Sequence, residues 1–312
     1  MTPRLAVVIL NWNGATDTLK CMESVRTSTV PVSVVIVDNG STDDSRERIR
    51  AAAPDRFVAL GENLGYAGGN NAGIEVALSV GYETIAVLNN DTTVAPTAFE
   101  RLLRELPAGE HRAVAPTIKY LDRPEISWFA GGTIERGWPR HLQPGELAHD
   151  ARLLRPTSWL TGCCIVARRE TWQLVGPLDP SYFLIFEDAA WSLRATRAGV
   201  ALYVVTPAVI HHKVSSSIGR SAATSRLSSF YYVRNGLRLH AEHFPRYVAR
   251  FAFAWLVRQA PALIQSGRAD ELAFRWFGAA AFVGARRGRA PRALERLASR
   301  TRRDRHAQRA VM

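Results

Sequence analysis

The chain has 312 residues, of which 47% are hydrophobic and 22% charged, so it can form one large α/β core and a further segment. Its three cysteines, Cys21, Cys163 and Cys164, have neither the number expected of a disulfide framework nor the spacing of a zinc site, and they indicate buried thiols in a reducing cytoplasm. The apolar run after Arg4 is too short for the core of a secretory signal, and none is predicted.

Three short apolar segments each lead into polar residues. They are Leu5–Leu10 before Asn11-Trp12-Asn13-Gly14, Val34–Val37 before Asp38-Asn39-Gly40-Ser41, and Thr84–Leu88 before Asn89-Asn90-Asp91. Unbroken apolar runs of this length are typical of parallel strands that are covered on both faces. We therefore predict three strands that present polar residues at one edge of a sheet.

The segments between these strands have helical patterns. Asp17–Ser28 places Leu19, Met22 and Val25 three residues apart, and Ser41–Asp44 is similar to a capping box at the start of a second helix. Alternating strands and helices predict right-handed crossovers and an α/β fold with a doubly wound, mainly parallel sheet. Ligands bind across the carboxyl ends of the strands in such sheets.

A glycine-rich segment, Asn63–Gly73, precedes the helical pattern Ile74–Ser79. It predicts a helix start at which the backbone approaches a ligand closely. The segment matches neither the dinucleotide-binding fingerprint nor the P-loop.

A later apolar stretch ends in two adjacent acids, Glu187 and Asp188, before the predicted helix Ala189–Ala198. An ionised carboxylate there can accept the proton of an attacking hydroxyl. The alternative is that the acids complement the dipole of the helix. Upstream, Trp159–Val166 predicts a strand interrupted at Thr161-Gly162, where it can line an acceptor pocket.

Residues at two further strand ends could each have more than one role. Asp38 can accept a hydrogen bond from a nucleoside, and a role in the turn before the next helix is the alternative. His211 and His212 follow the predicted strand Ala201–Val205 and return to the same edge. A histidine there can ligate a metal, whereas a lone histidine is more often structural.

Seven motifs in this order resemble those of family 2 glycosyltransferases, and they look most like its bacterial rhamnosyltransferase-like branch. The motifs are Asn11-Trp12-Asn13-Gly14, Asp38-Asn39-Gly40-Ser41, Gly65-Tyr66-Ala67-Gly68-Gly69-Asn70, Leu88-Asn89-Asn90-Asp91, Thr161-Gly162, Glu187-Asp188 and His212-Lys213-Val214-Ser215. The resemblance covers about Leu5 to Ser217. It implies a GT-A fold, a nucleotide-diphosphate sugar donor, a divalent metal, Mg²⁺ or Mn²⁺, and inversion at the anomeric carbon.

The resemblance also implies roles for individual residues. Asp188 would be the catalytic base, with Glu187 as the alternative. Asp91, at the position of the family's D-x-D motif, and His212 would hold the metal, with His211 as the alternative to His212. Because the D-x-D position reads Asn89-Asn90-Asp91, only one carboxylate remains, which Mg²⁺ tolerates when phosphates and waters complete its shell.

The other implied contacts are with the two substrates. The donor would be contacted by Asn11, Asn13, Asp38, Asn39, Gly65, Gly68, Asn70, Asn89 and Asn90. The acceptor would be contacted by Thr161, Gly162 and Trp191.

We therefore predict an inverting glycosyltransferase that moves a sugar, with rhamnose implied by the family branch, from a dTDP- or UDP-sugar to a hydroxyl of a cell-envelope or lipid-linked glycan. A non-catalytic nucleotide-sugar binding module tethered to a membrane is one alternative, but it would not need both Asp91 and Glu187-Asp188. A nucleotidyltransferase is another, but the glycine-rich basic loop that it needs directly after the first strand is missing.

The last part of the chain is strongly basic. From Ser225 to Met312, 18 arginines stand against five acidic residues, a formal charge of +13, whereas the whole chain carries +12. Aromatic residues lie among these arginines in helix-compatible sequence, which favours contact with an anionic membrane surface. The alternative is a helical cap on the catalytic core with a solvated basic face. No nucleic-acid-binding motif accompanies the charge.

These patterns predict two domains. Residues 1–224 would form the catalytic domain, and residues 225–312 would form a basic, aromatic-rich helical extension. We expect its helices to lie in the membrane interface without crossing it, which predicts a cytoplasmic protein bound peripherally to the inner face of the cell membrane.

Overall fold

The computed structural model describes residues 5–147, 152–214 and 222–299. The chain divides into two compact units, one of Met1–Pro180 with Glu187–Val214 and the other of Ser181–Phe186 with Ser215–Met312. The boundary predicted after residue 224 falls within a helix, Ala222–His243. The short segment Ser181–Phe186 belongs to the second unit although the residues on both sides of it belong to the first.

The strands of the first unit are apolar and short, as the sequence predicts. In chain order they are β1 (Leu5–Asn11), β2 (Val32–Asp38), β3 (Arg56–Ala59), β4 (Thr84–Asn89), β5 (Thr92–Val94), β6 (Arg112–Tyr120), β7 (Ser127–Phe129), β8 (Gly132–Glu135), β9 (Trp138–His141), β10 (Leu154–Pro156), β11 (Cys164–Arg168) and β12 (Ala201–His212). β8 and β9 form a separate hairpin.

The remaining strands form one mixed sheet in the order β10-β12-β6-β11-β4-β1-β2-β3, with β5 beside β12 and β7 beside β6. β1 pairs in parallel with both β2 and β4, and β2 pairs in parallel with β3. β11 runs antiparallel between β4 and β6. Residues 5–9 and 34–37 are fully buried because helices cover both faces of this part of the sheet. The predicted α/β fold with a mainly parallel sheet is confirmed.

Seven helices of the first unit connect the strands within the described residues. They are α1 (Ala15–Arg26), α2 (Ser45–Ala51), α3 (Gly65–Val80), α4 (Ala98–Arg104), α5 (Pro144–Leu147), α6 (Arg169–Val175) and α7 (Glu187–Arg197). The three cysteines are buried and form no disulfide, as predicted.

The glycines of the glycine-rich segment serve a different purpose from the one predicted. α3 begins at Gly65 and not near Ile74, so most of these glycines lie inside the helix. A Cβ atom at Gly69 would overlap the side chain of Leu10, and one at Gly73 would overlap that of Val8. These two glycines therefore allow α3 to pack closely on β1, and a close approach to a ligand does not explain them.

Three other local predictions are wrong. α2 begins at Ser45 without a side-chain cap, and the hydroxyl of Ser41 instead accepts a hydrogen bond from Asn13 N. β11 begins only at Cys164, because the residues before it form a loop. β12 continues past Val205 to His212 with an irregularity before Val209, so both histidines lie on the strand.

The second unit is helical in the part that is described. Its helices are α8 (Ala222–His243), α9 (Val248–Phe253), α10 (Ala260–Gln265) and α11 (Ala269–Val283), with a 3₁₀ turn at Pro245–Tyr247, a π-helical segment at Ala254–Arg258 and a further helix at residues 292–299. A small core forms around Phe230, Tyr231 and Phe274. No helix in the described ranges has both the length and the apolar character needed to span a bilayer.

Candidate active site at the carboxyl edge of the sheet

Polar residues at the ends of β1 and β2 bond to each other. The register pairs Asn11 with Asp38, and Asn11 Nδ2 donates to Asp38 Oδ1 at 3.1 Å. Arg46 Nε donates to Asp38 Oδ2 at 3.1 Å, and its guanidinium also reaches Leu60 O at 2.9 Å. Asp38 is fully buried. Its carboxylate therefore holds the ends of β1 and β2 together. The predicted contact between Asp38 and the nucleoside stays a prediction.

Two asparagines shape the loops around this edge. Asn13 has a left-handed backbone, with φ of 51°, and its Oδ1 accepts a hydrogen bond from Thr42 N at 2.8 Å. Asn39 Oδ1 accepts one from Leu64 N at 2.9 Å, and its Nδ2 donates to Gly65 O at 3.1 Å. Asn13 is exposed, whereas Asn39 is buried, so only Asn13 presents its side chain at the surface.

Two residues of the glycine-rich segment lie within α3. Gly68 lies beside the side chain of Leu64. Asn70 is fully buried, and its Nδ2 donates to Tyr66 O at 2.9 Å, whereas its Oδ1 has no hydrogen-bond partner among the described residues. The donor contacts expected of Gly68 and Asn70 stay predictions.

The end of β4 is tied to the end of β1 through one hydroxyl. Asn90 Nδ2 donates to Thr18 Oγ1 at 2.9 Å, and Thr18 Oγ1 donates to Asn11 Oδ1 at 2.8 Å. Asn89, the last residue of β4, donates from its backbone N to Cys163 O at 2.9 Å. The asparagines of the Asn89-Asn90-Asp91 segment therefore hold it against its neighbours.

Asp91 forms a buried pair with His212. Asp91 Oδ1 and His212 Nε2 are 2.9 Å apart, and both side chains are buried. The pair forms because β12 runs antiparallel to β5 with His212 opposite Thr92. Between the two candidate histidines, His212 is the one that meets Asp91. Ser215, the last residue of the His212-Lys213-Val214-Ser215 motif, lies outside the described residues.

The Asp91–His212 pair suits a divalent cation. Neighbouring ligands of an octahedral Mg²⁺ with bonds of about 2.1 Å lie about 3 Å apart, close to the separation of these two atoms. No cluster of three or more His, Cys, Asp or Glu side chains that could hold a metal occurs among residues 5–147, 152–214 and 222–299. Further ligands would therefore have to come from donor phosphates and water, which is how Mg²⁺ is commonly held.

Glu187 and Asp188 begin α7, and their carboxyl groups differ in their partners. Asp188 Oδ2 accepts a hydrogen bond from Gly162 N at 2.9 Å, and Oδ1 accepts one from Ala189 N at 2.7 Å. Burial raises the pKa of Asp188, although these two N–H groups oppose the rise. Within the described part of the chain, the buried Glu187 Oε2 has no hydrogen-bond partner.

The environment of Glu187 favours its neutral form. Burial raises the pKa of Glu187 above its usual value, and the neighbouring charge of Asp188 adds to the rise. Two adjacent buried acids favour sharing one proton, and the two N–H donors on Asp188 favour Glu187 as the acid that carries it. An ionised carboxylate in a buried position can serve as a general base.

One loop connects Asp188 to the Asp91 segment. Gly162 donates to Asp188, and the next residue, Cys163, accepts a hydrogen bond from Asn89, two residues before Asp91. Tyr66 Oη donates to Gly162 O on the same loop. The short segment Thr161–Cys163 therefore contacts both the carboxylate of Asp188 and the backbone of Asn89, two residues before Asp91.

The three residues predicted to contact the acceptor differ in their surroundings. Gly162 lies directly beside Asp188. Thr161 is buried, and its hydroxyl accepts a hydrogen bond from Cys163 N at 3.4 Å. Trp191 is fully buried against Trp172, with its indole N–H on Gly176 O, so it cannot contact an acceptor. The expectation for Trp191 is wrong because it faces the core side of α7.

Sequence reasoning missed three residues at this edge. Tyr66 and Arg46 bond to the Gly162 loop and to Asp38, as described above. Lys213 Nζ forms a salt bridge with Asp17 Oδ1 at 2.9 Å, while Lys213 N donates to Asp91 O at 3.0 Å. The sequence gives a signal for Lys213 and Tyr66, which both stand in the seven motifs, and none for Arg46.

Comparisons with known proteins identify the family of this chain. The profile of glycosyl transferase family 2 matches residues 6–174, just over half of the chain. The chain is 32% identical over 253 residues to the N-acetylglucosaminyl-diphospho-decaprenol L-rhamnosyltransferase of Mycobacterium tuberculosis, covering 72% of this chain and 80% of that protein. It is 21% identical over 221 residues to the dTDP-rhamnosyl transferase RfbF of Shigella flexneri, covering 68% and 72%.

Solved structures share the fold. The mannosyltransferase PcManGT of Pyrobaculum calidifontis, in complex with GDP-Man and Mn²⁺, has a TM-score of 0.56 and 16% identity, covering 91% of this chain and 88% of its own. GalNAc-T7 with UDP, GalNAc and Mn²⁺ has a TM-score of 0.58 and 16% identity, and this chain spans only 56% of its length. At such low sequence identity, the similarity to these structures shows a shared fold and nothing more.

The profile match and the relative of 32% identity confirm the resemblance that the seven motifs indicated. They do not support a non-catalytic binding module or a nucleotidyltransferase. The chain belongs to glycosyl transferase family 2, within its rhamnosyltransferase-like branch, and it is a glycosyltransferase with the GT-A fold.

Proposed function

We propose that this enzyme transfers a rhamnosyl group from dTDP-rhamnose, with inversion, to a hydroxyl of a lipid-linked diphospho-sugar. The single observation that carries the proposed site is the joining of Asp188 and the Asp91 segment through Thr161–Cys163. The names of the two relatives support rhamnose, the dTDP nucleotide and the lipid-linked acceptor.

Asp188 is the proposed base. It takes the proton of the acceptor hydroxyl while that oxygen attacks the anomeric carbon from the face opposite the diphosphate. The two N–H groups on its oxygens favour the ionised carboxylate and fix its direction. Glu187 keeps its proton and so does not compete for this role.

Asp91 and His212 are the proposed residues for the divalent metal, Mg²⁺ or Mn²⁺. When bound, such a cation stabilises the negative charge that develops on the leaving diphosphate. Lys213 lies beside Asp91 and adds a positive charge to the same region. Donor contacts are proposed for Asn13, which is exposed, and for the segment that Asp38 organises at the ends of β1 and β2.

The reaction can be tested with purified protein, Mg²⁺ and a set of nucleotide sugars, using a polyprenyl-diphospho-N-acetylglucosamine acceptor. We expect release of dTDP only with dTDP-rhamnose, and an anomeric configuration in the product opposite to that of the donor. Release of pyrophosphate, or a retained configuration, would refute the proposed reaction. Turnover with a UDP-sugar alone would move the donor assignment to uridine.

We also propose that the second unit binds an anionic membrane surface through one face of α11. All six exposed residues on this helix are apolar, and they lie along one face: Ala269, Ala273, Trp276, Phe277, Ala280 and Val283. Its buried face, in contrast, includes Glu271 and Arg275. A helix with its more apolar face toward solvent requires another apolar medium.

Charge identifies that medium as an anionic lipid surface. Exposed arginines of the same unit include Arg286 and Arg287, which follow α11 directly. Trp and Phe beside arginines suit the boundary between headgroups and acyl chains, where the arginines meet lipid phosphates. A lipid-linked acceptor would be presented at this same boundary.

Vesicle sedimentation tests this surface. We expect binding to vesicles of phosphatidylglycerol and phosphatidylcholine, weaker binding at high salt, and at least about tenfold weaker binding by W276S/F277S. The matched control is L174S, which removes an exposed apolar side chain on α6 of the first unit. Equal binding by W276S/F277S and L174S would refute the surface, and a change in oligomeric state instead would assign α11 to a contact between copies.

A further inference from the structure

The segment Ser181–Phe186 leads directly into Glu187 and Asp188, and its backbone is unusual. Phe183, Ile185 and Phe186 have φ angles of 63°, 71° and 74°. Such left-handed conformations are unfavourable for bulky side chains and are outliers for a β-branched residue. Three of them in four residues persist only where surrounding contacts fix the backbone.

Asn235 on α8 supplies such contacts. Its Nδ2 lies 2.8 Å from Tyr182 O, 2.7 Å from Leu184 O and 2.9 Å from Ile185 O. Asn235 is fully buried. One amide therefore gathers three carbonyl oxygens of the segment, a geometry that only an N–H donor group can satisfy.

Arg234 sets the direction of that amide. Arg234 Nε donates to Asn235 Oδ1 at 2.8 Å, which leaves Nδ2 pointing at the carbonyls. Arg234 also donates to Tyr182 O at 2.9 Å. An amide with the opposite orientation would place its oxygen against three carbonyl oxygens, so the network admits one orientation.

Aromatic contacts hold the side chains of the same segment. Phe183 stacks on Tyr231 with ring centroids 5.3 Å apart, and Phe186 meets Tyr232 edge-on at 4.8 Å. These contacts anchor the outer residues, whereas the polar contacts of Asn235 fix the left-handed turn itself. Of the two, the polar contacts bond directly to the backbone of the segment.

We propose that Asn235 is a positioning residue for catalysis, which holds the left-handed turn and so sets where the backbone enters α7 at Glu187-Asp188. The inference rests on the proposed role of Asp188 as base. Loss of the amide removes one donor from three carbonyl oxygens, of which Tyr182 O keeps its hydrogen bond from Arg234, and lets the turn relax toward ordinary φ values. The backbone of Asp188 then shifts relative to the attacking hydroxyl, and a misplacement of about 1 Å can reduce the rate about 100-fold.

The test compares N235L, which keeps a similar volume without hydrogen-bonding groups, with S229A on the same helix. Ser229 donates to Glu271 Oε2 at 3.1 Å and does not touch the segment, so S229A also removes a buried hydrogen bond of this unit. We expect kcat of N235L to fall about 10- to 100-fold with unchanged affinity for dTDP by titration calorimetry. S229A should keep kcat within about twofold.

Several outcomes separate the explanations. Wild-type kcat in folded N235L would overturn the inference. Parallel loss of dTDP affinity and kcat would also overturn it, since it would show a general folding role. If N235L does not fold, N235S, which keeps one donor, should show an intermediate kcat, and wild-type turnover by N235S would overturn the inference. D188N reports separately on the base, because its full activity would refute the proposed role of Asp188 whatever N235L shows.

Discussion

The buried carboxylates of Asp91 and Asp188 at the sheet edge have different electrostatic environments. Asp91 faces a histidine, so its carboxylate has a partner of complementary character. Asp188 stands beside another acid and is stabilised by backbone N–H groups instead. The first arrangement suits holding a cation and a leaving anion, and the second suits taking up a proton. Neighbouring groups therefore determine which role each carboxylate suits.

The largest change in kcat should come from substituting the two adjacent acids, Glu187 and Asp188, one at a time. D188N keeps the shape of the side chain but removes the base, so we expect kcat to fall by about 100-fold or more. E187Q imitates the protonated form that Glu187 already has, so its kcat should stay within a few-fold of wild type. Both are measured by dTDP release under saturating substrates. The reverse pattern, with E187Q inactive and D188N active, would make Glu187 the base.

Substitution of Asp91 should act through binding of the metal. D91N removes the carboxylate charge while keeping its size, and we expect at least about tenfold weaker Mn²⁺ binding in the presence of dTDP. Titration calorimetry or electron paramagnetic resonance measures this independently of turnover. D44N, at an exposed acid before α2, is the control and should bind Mn²⁺ like wild type. Equal affinity in D91N would remove Asp91 from the proposed metal site.

The pH dependence of stability should reveal the proton on Glu187. The pKa of Glu187 is raised in the folded state from 4.5 to about 8. The folded chain therefore holds a proton that the unfolded chain releases, and stability is lost as pH rises from about 4.5 toward 8. E187Q does not titrate, so it should be more stable than wild type at pH 7 by about 1–3 kcal/mol, with little difference near pH 4.5.

Urea unfolding at several pH values measures this difference. E75Q, at an exposed position of α3, is the control and should show no such pH-dependent gain. A constant difference between E187Q and wild type across the whole range would show that Glu187 is ionised in the folded enzyme.

The sequence predicts the parts of the site that depend on strand ends. Parallel strands bring their carboxyl ends to one edge, so Asn11, Asp38 and Asn89 could be placed together from apolar runs alone. Glycines are different, because the sequence does not distinguish a close approach to a ligand from close packing. Gly69 and Gly73 serve packing on β1, which depends on side chains about 60 residues away in sequence.

Contacts between distant segments escaped prediction for the same reason. Asn235 bonds to carbonyls about 50 residues upstream, and nothing local marks it as more than a polar residue in an aromatic helix. Trp191 was expected at an acceptor, but the helical phase of α7 turns it into the core. Motif order identifies a family, whereas side-chain direction and non-local hydrogen bonds require the fold.

The smallest expected effect concerns the loop that links the two acidic sites. Tyr66 Oη donates to Gly162 O, and Gly162 N donates to Asp188. Y66F removes one hydrogen bond from the loop without touching either carboxylate, so we expect a loss of stability of about 0.5–1.5 kcal/mol and a reduction in kcat of about two- to fivefold.

The direction of the change in Y66F distinguishes two ways in which the loop could act. If it only orients Asp188, kcat falls while the affinity for Mn²⁺ with dTDP stays at the wild-type value, because Asp91 keeps its pair with His212. If it also holds the Asn89-Asn90-Asp91 segment through Cys163, that affinity falls together with kcat. Measuring both in one variant therefore shows whether the base and the metal site depend on the same loop, and unchanged values of both would show that Tyr66 supports neither.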